Sequence, residues 1–278
     1  MLVETITCYC ICDDLLKALG HTDDPQCKMG SAEVLTVGLV AALYFGGNIQ
    51  AARRFLYWHR YIPRMLSHSR LNRRLLSVSS DLWLALFTLV KHICNQLRPV
   101  DKFIVDSFPV PVCLPCRSWR CKLYQGRSYL GYCAAKKLSY YGLKVHLIVT
   151  VEGDLWEFVV TPASMADITA LRNMDLDLPE NVTLFADRAY NHYDFEEELA
   201  QDAKISLIAQ RKCNSKRPHS GPVSYQQSTY RKRVETVISQ ITRRFSRNIV
   251  ARSARGFVLR LELIILAYPL SRTIEILT

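Results

Sequence analysis

The stretch DKFIVDSFP, residues 101–109, decides how this chain is read. Phe103, Ile104 and Val105 form a short run of β-branched and aromatic residues, and the run ends on a carboxylate, Asp106. Pro109 and Pro111 follow, residues that interrupt a strand's donor row. The same arrangement returns in TLFADRAY, residues 183–190, where an apolar run ends on Asp187. A third acid, Glu235, lies in YRKRVETVISQ, residues 230–240, a helix-forming segment rich in arginine. Taken singly, an Asp after a strand is commonly a turn former or helix cap, and a Glu among arginines an ion-pair partner. Together the three acids form an ordered set.

Outward from that stretch, periodicity predicts a strand over 142–151, a turn at Glu152-Gly153-Asp154 and a return strand over 155–161. A helix over 166–174, a strand over 182–186, a helix over 194–203 and a strand over 205–209 follow. Residues 211–229 read as a basic loop with Pro218, Gly221 and Pro222, before a helix over 230–245 and one or two more over 256–276. This order predicts an α/β fold, a ribonuclease-H-like five-stranded mixed sheet flanked by helices and occupying 101–278. Residues 1–100 read as a helical N-terminal domain, with helices over 31–45, 49–59, 69–76 and 81–98. Ser31 is the expected N-cap of the first of these.

In such a sheet the first and fourth strands are neighbours, so Asp106 and Asp187 can meet, and the last helix can bring in Glu235. Oxygen ligands of this kind suit Mg²⁺ or Mn²⁺ and leave room for water and a phosphate. The charge distribution agrees with a phosphate polymer as partner. Net charge is +11, and residues 211–260 hold thirteen Lys or Arg against one acid, Glu235.

The same segments resemble the DDE superfamily of bacterial insertion-sequence transposases. The resemblance covers residue 101 to the C-terminus and rests on IVDSFP, YYGLKVHLIV, TPASMADITAL, LFADRAYN and YRKRVETVISQI. HSRLNRRLL resembles the helical region that precedes catalysis in some relatives. It implies a Mg²⁺-dependent DNA transposase, with Mn²⁺ as a substitute and Asp106, Asp187 and Glu235 as catalytic, metal-binding triad. Its partners would be double-stranded DNA, both terminal repeats and target, and a second copy of the chain when two ends are brought together. Arg231 stands four before the glutamate, as in the family; Ser228 stands where a tyrosine is usual, and Thr242, followed by Arg243 and Arg244, where a basic residue is usual. Hydrolysis without joining, and DNA binding without catalysis, remain alternatives.

Candidate DNA contacts are Arg231, Lys232, Arg233, Arg243, Arg244 and Arg247 on the basic helix and beyond it, Arg188 beside Asp187, and Lys144 on the hairpin. Arg70, Arg73 and Arg74 are candidates in the N-terminal region. His146 shares a strand face with Lys144 and reads as a surface histidine, and Asp167 reads first as a helix cap and second as a residue supporting the acid site. Cys113, Cys116, Cys121 and Cys133 carry an irregular zinc-like spacing; Cys8, Cys10 and Cys12 read as small buried hydrophobes. No Gly-rich phosphate loop points to ATP. MLVETITCYCICDDLL lacks the basic start of an export signal, and GFVLRLELIILAYPL, residues 256–270, reads as a buried core helix. Ten cysteines then fit a reducing bacterial cytoplasm, with the nucleoid as place of action.

Overall fold

The stretch that opens the reading is strand from Lys102 onward: β1 runs Lys102–Cys113 and carries Asp106 in its interior rather than at its end. In the computed structural model, residues 1–95, 100–134, 137–212, 214–245, 249 and 251–277 are described. The helices before β1 are α1 (Leu2–Ala18), α2 (Ser31–Tyr44), α3 (Ile49–Trp58), α4 (His68–Ser77) and α5 (Ser80–Asn95). After it come β2 (Leu130–Cys133), β3 (Leu138–Thr150), β4 (Leu155–Pro162), α6 (Asp167–Arg172), β5 (Val182–Ala186), α7 (Tyr193–Asp202), β6 (Ile205–Ala209), α8 (Gly221–Arg243) and α9 (Ala254–Leu277).

The chain divides into two compact units, Met1–Leu97 with Gln240–Thr278, and Arg98–Ser239. Residues 240–278, expected with the sheet, cluster with the N-terminal helices instead. The reason is apolar burial. α9 carries the core side chains Phe257, Leu261, Ile264, Ile265 and Leu270, and packs on α2 and α5. It is the buried core helix expected from its composition. Among the described residues no single helix is long and apolar enough to cross a membrane. α2 begins as expected, but Ser31 is not its cap. Asp23 accepts from the Ser31 N–H at 2.8 Å, and Glu33 accepts from the Gly30 N–H at 2.8 Å. α5 is described as far as Asn95, and the expected extension to 98 lies outside the described residues.

The sheet unit has the expected mixed topology. β3 runs antiparallel to β1 along one edge and to β4 along the other, while β5 and β6 follow β1 in parallel. The expected five strands become six, because β2 pairs with Leu138–Tyr141 of β3, end to end with β4 on the same edge. β1 also passes through both prolines, whose chemistry predicts a stop. Pro109 and Pro111 are two residues apart, so their missing N–H groups fall on one edge, and β5 leaves that edge after Val105. The other edge stays paired with β3 up to a bulge between Pro111 and Cys113.

Phe103, Val105, Leu184, Ala186 and Leu207 form a core with Leu171 and Phe195 of the flanking helices. Ile104 and Phe185, out of phase with them, lie beside Val234 of α8. α8 itself begins nine residues earlier than the predicted 230, inside the expected loop. Pro222 sits in its first turn, where a missing N–H costs nothing.

Candidate active site

Parallel pairing of β1 with β5 sets Val105 opposite Ala186, and the next residue on each strand is an acid. Asp106 and Asp187 therefore stand side by side on neighbouring strands, roughly 5 Å apart at the backbone. Both line a small pocket with Ile104, Phe185, Gln210 and, from α8, Gln227, Arg231 and Val234. Gln227 fixes the helix over the strand ends: it is buried, and its amide donates to the Ile208 carbonyl at 3.0 Å. Tyr230 packs on Phe185 with ring centroids 4.9 Å apart.

Burial, and next the Asp187 charge, push Asp106 up to about 7, against the opposing pull of the Ser107 N–H. Burial also holds Asp187 above its ordinary range, with Asp167 adding to the shift. One oxygen of each accepts a backbone N–H, from Ser107 at 2.7 Å and from Ala189 at 2.8 Å. Among the described residues neither second oxygen has a protein donor. Two repelling, half-buried carboxylates with open oxygens fit a hard divalent cation.

Glu235 is the incomplete part. It lies one turn beyond Arg231 on the same helix face and accepts from the Arg231 Nε at 3.0 Å, with half of each side chain exposed. Among the described residues no three His, Cys, Asp or Glu side chains are grouped at metal-binding distance. Asp106 and Asp187 thus present a two-carboxylate site, while Glu235 is held by Arg231.

Behind the acids lies a polar network centred on Asp167, the second of the two readings given to that residue. Asp167 accepts from Ser107 Oγ at 2.9 Å and from Lys144 Nζ at 3.2 Å. His146, fully buried, lies 3.6 Å from the same carboxylate oxygen, 3.1 Å from Thr161 Oγ1 and 3.4 Å from the Tyr190 hydroxyl. Burial pushes His146 down to about 4, so it is neutral at physiological pH. Ser107 follows Asp106, and Tyr190 closes the 3₁₀ turn after Asp187, so one cluster ties down both acidic segments. Three expectations change here. His146 is a core residue, Asp167 is not a cap (Ala166 holds that position), and the Lys144 ammonium is bound by Asp167 and the Met165 carbonyl rather than facing a DNA backbone. The partners that turn Lys144 and His146 inward come from distant residues, which strand alternation does not reveal.

The other basic candidates separate by exposure. Arg188, Arg231 and Lys232 are exposed in the sheet unit; Arg233 is exposed but donates to the Val151 carbonyl at 3.1 Å. In the helical unit Arg70, Arg73 and Arg243 are not buried. Arg244 is half-buried against Ser271, and Arg74 binds the Met29 carbonyl and Asp23, so both are structural ties. Arg247 lies outside the described residues. Cys113 and Cys121 are hydrogen-bonded neighbours, and among the described residues no three metal-ligating side chains are grouped there. Cys8 and Cys12 are buried as expected; Cys10 faces outward because α1 places it off their shared face.

A family model described as "Transposase DDE domain" matches residues 100–270. No curated protein matches. Among solved structures the chain is similar to the piggyBac transposase synaptic complex with hairpin DNA, at 10% identity and a TM-score of 0.44. That alignment covers 97% of this chain and 66% of the other, so the chain spans about two thirds of its length.

Proposed function

This chain belongs to the transposase DDE-domain family, and we propose that its sheet unit cuts DNA at element ends and joins the freed 3′-hydroxyl to target DNA. The observation that carries this reading is the pairing of Asp106 and Asp187 on neighbouring parallel strands, beneath the helix that bears Glu235. Asp106, Asp187 and Glu235 are the catalytic acids, and ionised they hold Mg²⁺ or, in its place, Mn²⁺. The ion supplies polarisation of the scissile phosphate and neutralisation of its developing charge. Once Glu235 turns toward the strand acids, the Arg231 fork is released for a phosphate oxygen. Arg188 and Lys232 contact the flanking backbone and position it without reading sequence.

In cleavage, a water oxygen bonds to phosphorus and the bond from phosphorus to the 3′-oxygen breaks. In joining, that 3′-hydroxyl bonds to a target phosphorus and displaces the target's own 3′-oxygen. No covalent protein intermediate forms. Double-stranded terminal repeats and target DNA are the substrates, and two copies of the chain hold two ends. The N-terminal helices contribute Arg70 and Arg73 to DNA binding. The acting protein is cytoplasmic, on the nucleoid.

A strand-transfer assay on labelled duplexes taken from the DNA on either side of the gene tests this. Asp106→Asn and Asp187→Asn are each expected to lower product by more than ~100-fold, the upper end of what loss of a metal ligand's outer partner costs. Full activity in either variant overturns the assignment. Cut but unjoined product from the unaltered protein would restrict it to hydrolysis, and DNA binding with no cleavage would remove catalysis altogether.

A further inference from the structure

Between β1 and β2 the chain makes an excursion, residues 114–129, built from two 3₁₀ turns, Pro115–Arg120 and Arg127–Tyr129. It is anchored. The Tyr141 hydroxyl of β3 donates to the carbonyls of Tyr124 and Gly126, both at 3.2 Å. Tyr124 is buried and packs on Tyr129 at 4.9 Å, and Ser164 donates its N–H to the Ser128 carbonyl at 2.9 Å. What this anchored excursion displays is unusual for a solvated loop. Trp119 is 75% exposed, with its indole N–H donated to the Cys116 carbonyl at 3.1 Å, so the ring is held outward. The Arg120 guanidinium lies 4.2 Å over one ring face and leaves the other open. Arg117, Arg120, Lys122, Arg127 and Lys137 are all exposed, and among the described residues none is in an ion pair. From Ser107 to Val151 the chain has no acidic residue.

An indole presented from a purely basic surface matches unpaired DNA bases: the ring stacks on a base face, and the arginines take the phosphates. A duplex interior, whose base faces already stack on each other, offers the indole nothing. We infer that this excursion is a second DNA-binding surface, on which Trp119 stacks an unpaired base of a frayed or cut end while Arg117, Arg120 and Arg127 hold the adjoining strand. The inference rests on the DNA-cutting reading of the acids. Cys113 lies seven residue steps along β1 from Asp106, about 23 Å at ~3.3 Å each, so a stacked strand leaving the acids reaches the excursion after about seven nucleotides at ~3.4 Å rise.

The test uses the full chain in EDTA, so that binding is read without cleavage. The probes are a blunt duplex and the same duplex with a single-stranded thymine tail carrying 2-aminopurine. Trp119→Ala is expected to weaken binding of the tailed duplex about tenfold, within the ~1–3 kcal/mol a stacked base contributes, and to leave the blunt duplex within twofold. The 2-aminopurine quenching seen with the unaltered protein should disappear in Trp119→Ala and persist in Trp119→Phe. Arg117→Gln with Arg127→Gln should lower the salt slope for the tailed probe by about 1–2, near 0.7–0.9 for each phosphate that is no longer neutralised. Equal affinity and quenching in Trp119→Ala overturns the inference. So does a change in sedimentation with unchanged DNA binding, which would assign the surface to a protein partner. Because Trp119 is exposed, an unchanged thermal melt certifies the fold. Asp106→Asn separates the two readings: normal tail binding with no cleavage keeps both, and cleavage retained in that variant removes the DNA-cutting role alone.

Discussion

At the scale of single residues, Asp106 carries a pH signature. Its folded pKa, about 7, lies above the ordinary carboxylate value of 3.8, chiefly through burial. The folded chain therefore binds more protons than the unfolded one between those values, and this group's stabilisation is lost as pH rises through about 7. In EDTA the urea midpoint should fall between pH 5 and pH 8, and Asp106→Asn should flatten that fall by roughly 1–3 kcal/mol, at ~1.4 kcal/mol per pKa unit. A midpoint that declines equally in the variant would show that the carboxylate is not held protonated. Mg²⁺ should reverse the effect, stabilising the unaltered protein more at pH 8 than at pH 5, since ion and proton compete for the same oxygens. Both strand acids were legible in sequence because each ends a run of apolar, β-forming residues. Asp167 was legible only as a second reading behind a helix cap, since its partners Lys144 and Ser107 are far away in sequence. Asp167→Asn removes the carboxylate paired with the largely buried Lys144 ammonium, and a loss of about 3 kcal/mol is expected by denaturant unfolding.

At the scale of elements, the hairpin and the parallel strands were readable from period-2 alternation, and their limits were not. β1 continues past two prolines because one of its edges is open there, a fact about its neighbours rather than about its own residues. The start of α8 was hidden by the Gly-Pro pair that suits both a loop and a first helical turn. Register leaves a sharper mark at Gly142. It sits opposite Pro111 beside the β-bulge, and a Cβ there would lie 2.2 Å from the Val110 carbonyl and 2.8 Å from the Val112 nitrogen. Those atoms are backbone and have no rotamer to give. Gly142→Ala is expected to cost about 3 kcal/mol, the upper part of the usual single-substitution range, measured as a lowered urea midpoint. Gly221→Ala is the control: nothing lies within 4 Å of a Cβ in that first turn of α8, so its midpoint should hold or rise.

At the scale of the whole molecule, composition pointed to a nucleic-acid partner but overstated the available charge. Of the basic residues between 211 and 260, Arg211 pairs with Glu196, Arg217 with Glu197 and Arg231 with Glu235, while Arg244 is tied to Ser271. The organisation of the chain departs further from a linear reading, because the helical unit is assembled from both ends of the sequence. α9 supplies thirteen buried residues to that unit, most of them large and apolar. At ~1.5–3 kcal/mol for each large apolar side chain, their loss exceeds the ~5–15 kcal/mol that holds a domain folded. A chain ending at Arg252 should therefore lose the helical unit cooperatively, although every residue of α1 to α5 is still present. Hydrogen exchange followed by mass spectrometry would read this directly. Amides of α2 and α5 should exchange within the shortest time point, while β1, β3 and β5, whose core closes within Arg98–Ser239, should keep their protection. Persistent protection in α2 would mean that the N-terminal helices form a core of their own, and the two-ended unit would then be a matter of proximity rather than of stability.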